Sequence, residues 1–207
     1  MNLLIVAATE FEIEPFLQQN PTAEVLITGV GMPATIYHLT KKLLTQKYDL
    51  VLQAGIAGTF GYDFNFGDVV IAKEDTFADL GIEENGAIKT LFESGFTDKD
   101  QFPFLDGWLK NPNPHLDQYS IPLVRAVTVN KVSANNSCNE KVMKKFGAQI
   151  ESMEGAAFHF VCLQQQVTFL QLRSISNFVG ERDKSKWKIK EAISNLNKEL
   201  LNIASNL

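Results

Sequence analysis

Short apolar runs alternate along the chain with stretches in which apolar residues recur every three or four positions. Leu3 to Ala8 is apolar throughout, the pattern of a strand covered on both faces. Thr9 follows as a helix cap, with Glu10 and Glu12 in the first turn, where the positive end of the helix dipole favours carboxylates. Val25 to Thr28 is a second strand and runs into Gly29-Val30-Gly31. Pro33 opens a helix whose apolar positions are Ile36, Leu39, Leu43 and Leu44. Leu50 to Ala54 is a third buried strand, and Gly55-Ile56-Ala57-Gly58 is expected as the loop after it. Val69 to Ala72 and Leu123 to Val129 add two more strands. Between residues 79 and 120 the periodicity fails, and Pro103, Pro112, Pro114 and Pro122 fall in or beside the stretch. A long excursion with little regular structure is expected there, of a kind often tied to function. The pattern then resumes. A strand passes into a helix near Glu151, the helix covers Glu154 to Gln165, and Thr168 to Ser174 is a strand. A closing helix from Trp187 to Leu207 turns Ile189, Ile193, Leu196, Leu200, Leu201 and Ile203 inward. Strands alternating with helices predict an α/β fold with a central sheet, in one domain spanning 1–207.

Composition narrows the class. The chain has 207 residues, 45% hydrophobic and 21% charged, as expected of one soluble globular domain with a large core. Nineteen basic residues against twenty-four acidic ones, with no basic run, argue against a nucleic-acid partner. Leu3–Ala8 is too short for a signal-peptide core or a membrane span. Cys138 and Cys162 have neither zinc nor CxxC spacing and are expected as reduced thiols in a cytoplasmic protein. The sequon at Asn135-Asn136-Ser137 then has no glycosylation role and is expected to be chance. His38, His115 and His159 form no ligand set, His159 is expected to pack rather than catalyse, and no metal or other cofactor is called for.

Four places have the chemistry of a site. Glu10-Phe11-Glu12 lies past the end of the first strand, where ligands of α/β sheets bind, although both acids also suit a helix start. The glycines of Gly29-Val30-Gly31 and Gly55-Ile56-Ala57-Gly58 let the backbone approach a ligand closely, or simply make tight turns. The first segment lacks the third glycine of a dinucleotide fingerprint. Glu151-Ser152-Met153-Glu154-Gly155-Ala156-Ala157 sets an acid against a close-packed apolar surface, where it is a helix cap or a partner for neighbouring sugar hydroxyls. Arg173-Ser174-Ile175-Ser176-Asn177 ends a buried strand in polar groups.

Together these places resemble the nucleoside phosphorylase and nucleosidase superfamily, in order and spacing from Glu12 through Gly55–Gly58 and Met153-Glu154 to Arg173–Asn177. Ser152–Ala157 and Ile175–Asp183 are most similar to the futalosine hydrolase branch, whose members release hypoxanthine from futalosine on a bacterial route to menaquinone. The resemblance implies a three-layer α/β/α fold with a central mixed β-sheet, a homodimer, and a small-molecule nucleoside as partner. It implies Glu12 as the base that activates water, Met153 against the ribose and Glu154 on its 2′ and 3′ hydroxyls. It further implies Asn177 at the purine, Arg173 and Ser176 supporting that end of the pocket, and Ile56, Val132 and Ser133 lining the site.

Two departures from the wider superfamily have physical consequences. Adenosine-type nucleosidases carry Asp where this chain has Asn177. A carboxylate there repels the O6 of hypoxanthine, whereas a carboxamide donates to O6 and accepts from a proton on N7. Ile56 stands where phosphorylases place a hydroxyl, and Ala7-Ala8-Thr9 supplies no arginine, so water rather than phosphate is the expected nucleophile. Other enzyme possibilities are a methylthioadenosine/adenosylhomocysteine nucleosidase and an inosine-type phosphorylase. A catalytically silent nucleoside-binding module is the alternative of another class. Phe102, Phe104, Trp108 or Arg182 are candidates for the 5′ tail of the substrate.

Overall fold

The computed structural model describes residues 1–84 and 87–207. Its strands are β1 (Leu3–Ala7), β2 (Val25–Ile27), β3 (Leu50–Thr59), β4 (Val69–Asp75), β5 (Gly81–Glu84), β6 (Ala87–Thr90), β7 (Leu109–Lys110), β8 (Leu123–Thr128), β9 (Ile150–Ser152) and β10 (Phe169–Phe178). The helices are α1 (Glu10–Gln19), α2 (Met32–Thr45), α3 (Asn136–Phe146), α4 (Gly155–Gln164) and α5 (Ile189–Ser205).

β10, β4, β8, β9, β3, β1 and β2 lie side by side in that order, with β7 on β4, in one mixed sheet. β10 also pairs in parallel with β3, so the sheet closes on itself at one end. The length of β3 makes this possible. Its first residues pair with β1, and Gly58 and Thr59 pair antiparallel with Glu151 and Ile150 of β9. The interior of the closed end is filled by Ala57, Val70, Ala72, Val124, Ala126, Ile150 and Ile175. Small residues dominate there because little width is left between the strands.

Helices cover both faces of the open part. Ile13 and Phe16 of α1 and Leu196, Leu200 and Ile203 of α5 join Leu50, Leu52, Leu170 and Leu172 in one core. Leu39 and Leu43 of α2 and Phe158 and Val161 of α4 join Val6, Val51 and Phe169 in another. The expected three layers are present, with the sheet's closure as an addition. In α2, Ile36 and Leu44 are exposed by 36% and 69%, and Met32 and Thr35 take the inward positions instead.

Three expectations are corrected. Gly55–Gly58 is not a loop but the continuation of β3, held by backbone pairing to β10 from Arg173 to Phe178. The excursion is more regular than expected: β5 and β6 pair antiparallel and β7 adds to β4. α3 had no counterpart among the expected helices. Its start is fixed by Asn135, whose side-chain oxygen accepts from the N–H of Ser137 and Cys138, so the sequon is a helix cap. His159 is wholly buried, with a ring nitrogen 2.8 Å from the carbonyl of Leu109, and burial lowers its pKa to about 4.

Candidate active site

Glu12 sits on the first turn of α1 and is 8% exposed. Its Oε2 accepts from the backbone N–H (3.1 Å) and hydroxyl (3.0 Å) of Thr9, so the helix-start role read in the sequence is real. Its Oε1 does something a cap does not require: it accepts the N–H of Ile56 at 3.1 Å, across to β3. A carboxylate has about four lone-pair positions, so one on Oε1 stays open. The turn is anchored from behind. Asn197 of α5, 2% exposed, donates to the carbonyl of Glu12 at 2.8 Å and accepts the N–H of Phe16 at 3.0 Å. It thus enters the helix ladder beside Pro15, where the ring already removes one backbone donor.

Glu154 lies at the start of α4 but caps nothing with its side chain. Its Oε1 accepts the N–H of Gly31 at 2.9 Å, and Gly31 presents that N–H from a φ of 94°, a conformation glycine adopts without strain. Burial raises the Glu154 pKa. Arg173 opposes that rise, as does the Gly31 N–H, and Glu12 adds to it as a second carboxylate nearby.

Arg173 is 1% exposed, with Nη1 4.0 Å from Glu154 Oε2 and Nη2 donating to Gln53 at 2.8 Å. Gly55 leaves the room for it: a Cβ there would lie 2.2 Å from Nη1 and 3.0 Å from Glu12 Oε1. Arg173 therefore stands between the two carboxylates. The partners that hold it, Gln53 and Glu154, come from distant parts of the chain.

Ser176 and Asn177 lie farther along β10. The Ser176 hydroxyl donates to Asn177 Oδ1 at 2.7 Å, and Asn177 Nδ2 donates to the Phe178 carbonyl at 2.8 Å. Asn177 pairs in register with Gly58, whose missing side chain would come 3.3 Å from Nδ2. Ile56, Met153, Val132 and Ser133 are half-buried. The Ser133 carbonyl is tied by Asn139, whose amide also approaches Gly180, which draws the 133 loop to the segment after Asn177.

Glu151 and Asp75 were not among the expected site residues. Glu151 is 8% exposed, and burial with Asp79 nearby pushes its carboxyl up to about 7 against the pull of Arg182. Asp75 is fully buried beneath α4, where it accepts from Gln171 (3.1 Å) and Thr128 (2.9 Å), and burial pushes it to about 7. A strand acid has no sequence pattern of its own; only the pairing of β9 with β3 reveals where Glu151 lies.

Of the tail candidates, Phe104 lines an apolar cavity of about 620 Å³ with Met32, Ile36, Phe77, Phe92 and Phe160. Trp108 lies under the Arg125 guanidinium and meets Phe146 edge-on instead, and Phe102 is 61% exposed. Arg182 lies over Trp187. Among the described residues no His, Cys, Asp and Glu group is arranged to hold a metal, and no helix is long and apolar enough to cross a membrane.

The fold has counterparts. Futalosine hydrolase of Thermus thermophilus is 28% identical over 93% of this chain and 91% of its own. The solved futalosine hydrolase of Helicobacter pylori superposes with a TM-score of 0.81 at 18% identity, covering 99% of this chain and 97% of that one. The methylthioadenosine/adenosylhomocysteine nucleosidase of Neisseria meningitidis does so with 0.82 at 18% identity, covering 99% of each. Those two likenesses are of fold. The model of the phosphorylase superfamily matches residues 3–207, which takes in both carboxylates, the glycine segment and the strand ending at Asn177; this chain belongs to that superfamily.

Proposed function

We propose that the protein hydrolyses the N-glycosidic bond of a 6-oxopurine nucleoside, with futalosine as substrate and hypoxanthine and dehypoxanthine futalosine as products. One observation carries the reading: a carboxylate and a carboxamide are both built onto one short piece of β3, Glu12 at the Ile56 N–H and Asn177 beside Gly58. Two residues of strand span about 6.6 Å, room for a ribose C1′ and the bond to N9 between them. The relatedness to the Thermus thermophilus enzyme along nearly the whole chain supports the same reading.

In this mechanism the C1′–N9 bond lengthens, its electron pair moves to the purine and positive charge develops on the ribose. Water attacks C1′ from the opposite face and gives its proton to the open lone pair of Glu12 Oε1, a role worth about 10²–10⁴-fold. N7 takes a proton from solvent water, and Glu12 returns the one it accepted to solvent after release, so the purine leaves neutral; Asn177 Oδ1 accepts from N7–H while Nδ2 donates to O6. Ser176 fixes the carboxamide. Glu154 holds the ribose hydroxyls by charge-assisted hydrogen bonds of about 1.5–3 kcal/mol each, and Met153 packs on the sugar. Ile56, Val132 and Ser133 line the pocket, and no cofactor enters. Arg173, 1% exposed, gives Nη2 to Gln53 and faces Glu154 with Nη1.

We further infer one functional domain over the whole chain, working in the cytoplasm with its thiols reduced, and a homodimer. Supporting the dimer, the apolar cavity at the start of α2 is rimmed by Tyr37 and Leu80, exposed by 62% and 46%. Light scattering should give twice the chain mass.

The decisive experiment incubates the protein with futalosine, inosine and methylthioadenosine, with and without phosphate, and identifies the products. Free hypoxanthine and an unphosphorylated sugar, formed at a rate indifferent to phosphate, are expected. A sugar 1-phosphate, release of adenine alone, or binding without release would each overturn the proposal.

A further inference from the structure

α4 begins without the help of its own cap residue. Glu154 occupies the cap position, yet its side chain turns away to the Gly31 N–H and leaves the first N–H groups of the helix to others. Two side chains from neighbouring strands take them. Ser152 Oγ of β9 accepts the Gly155 N–H at 3.1 Å, and Thr128 Oγ1 of β8 accepts the Ala156 N–H at 2.7 Å. Thr128 in turn gives its own proton to Asp75 Oδ1, at the end of β4, over 2.9 Å.

Asp75 also sets where this turn can sit. Its Oδ2 and the Nε2 of Gln171, joined at 3.1 Å, lie directly beneath Gly155: a Cβ there would come within 2.2 Å of the first and 2.1 Å of the second. The backbone next to Glu154 therefore rests on the carboxyl itself. Asp75, Thr128 and Gln171 are wholly buried, and a carboxyl is costly to bury where an apolar side chain would fill the same space. Both of its oxygens serve the one turn. Oδ1 holds the Thr128 proton and so leaves the lone pairs of that hydroxyl to Ala156. Without Oδ1 the proton turns to Ser152 Oγ, 3.5 Å away, which is the acceptor that the Gly155 N–H uses.

Resting on the reading of Glu154 as the group that holds the ribose hydroxyls, we propose that Asp75 is a positioning residue for the sugar: through Thr128 and the bed beneath Gly155 it fixes the turn from which Glu154 is aimed. A shift of that turn moves the Glu154 carboxylate off the hydroxyls and leaves Ser176 and Asn177, farther along β10, in place. The loss falls on ligands that carry those hydroxyls, whereas a general loss of stability falls on all ligands alike.

The test is made in the Glu12→Gln background, where nucleosides bind without turnover. Calorimetry gives the affinities of inosine and of 2′,3′-dideoxyinosine, which lacks both hydroxyls, and their ratio does not depend on how much of the protein is folded. The background should prefer inosine about tenfold or more. Thr128→Val, which keeps the shape and removes the hydroxyl, should cut that preference about 3–10-fold by weakening inosine, and Asp75→Ala should do the same. Asp75→Asn keeps an acceptor for Thr128 and offers Nδ2 to a turned Gln171 carboxamide, so it should hold the preference within about twofold. A Thr128→Val variant with the preference of the background overturns the proposal. So does an Asp75→Asn variant that loses the preference as fully as Asp75→Ala. If valine prevents folding, an unchanged preference in Asp75→Ala overturns it equally. A background with no preference, or one whose preference survives Glu154→Ala, overturns the sugar reading of Glu154 itself.

Discussion

Asn197 and Glu12 are 185 residues apart in sequence and joined by a 2.8 Å hydrogen bond, from the Asn197 amide to the Glu12 main-chain carbonyl. The same side chain takes the Phe16 N–H at 3.0 Å and gives a second bond to Ile193 at 2.7 Å, so all its polar atoms are used inside the core. It sets the pitch of the first turn of α1, and with it the direction of the Glu12 carboxylate. Asn197→Ala leaves the Phe16 N–H without that partner, a loss of about 1–3 kcal/mol in urea unfolding. As a positioning residue it should also lower kcat while KM for the nucleoside stays within about twofold. A fall in stability with kcat unchanged would make Asn197 purely structural.

Glu12→Gln tests the base itself. The amide oxygen still accepts from Ile56, but the amide nitrogen in place of Oε2 meets the Thr9 N–H as a second donor, costing about 1–3 kcal/mol, so the fold should persist with a lowered melting temperature. Basicity is lost as well, and turnover should fall by at least about 10²–10⁴-fold with substrate binding retained. Rates near wild type would remove Glu12 from proton transfer.

Glu12 and Asn177 stood out as candidates because each follows an apolar strand-like run, where a polar group is conspicuous, and Glu154 because an acid there meets the close-packed Gly155-Ala156-Ala157. The α/β class was legible for the same reason. What escaped depends on pairing. Gly55–Gly58 reads locally as a turn, and only β10 running alongside makes it strand. Arg173 reads as a polar strand end, but Gln53, 120 residues away, and Glu154 fix its place between the carboxylates. α3 turns only a few apolar residues inward, Val142 and Phe146 among them, amid lysines, so its periodicity is faint and its Asn135 and Gly147 ends carry the signal.

Asn177→Asp probes the choice of base. Ser176 still donates to the new carboxylate, but the bond to the Phe178 carbonyl becomes a contact between two acceptors, costing about 1–3 kcal/mol. The carboxylate also repels O6 and accepts well from a 6-amino group. kcat/KM should fall for inosine and futalosine and rise for methylthioadenosine, shifting the ratio by about 10²-fold or more. An unmoved ratio would mean that the base is read elsewhere.

Asp75 gives the protein a pH dependence opposite to that of a salt-bridged acid. Its carboxyl titrates near 7 in the fold, because it is wholly buried, and near its ordinary 3.8 when unfolded. Between those values the folded chain holds a proton that the unfolded chain has released, so stability falls as pH rises, by about 1.4 kcal/mol per pH unit for this group, and levels off above 7. Glu151, also near 7, adds a slope of the same sign. His159, kept neutral down to about 4, opposes both below its unfolded value of 6.5, since there the unfolded chain gains the proton that the fold refuses. Asp75→Asn mimics the protonated acid and has nothing to titrate. Its urea-unfolding free energy should run below or level with wild type near pH 5 and rise relative to it toward pH 7, the difference between the two changing by about 1.4 kcal/mol per unit. Parallel profiles for the two proteins would show that Asp75 is already ionised in the fold at pH 5. The side-chain oxygens would then have to be sustained as an anion by Gln171, Thr128 and the more distant charge of Arg173 alone.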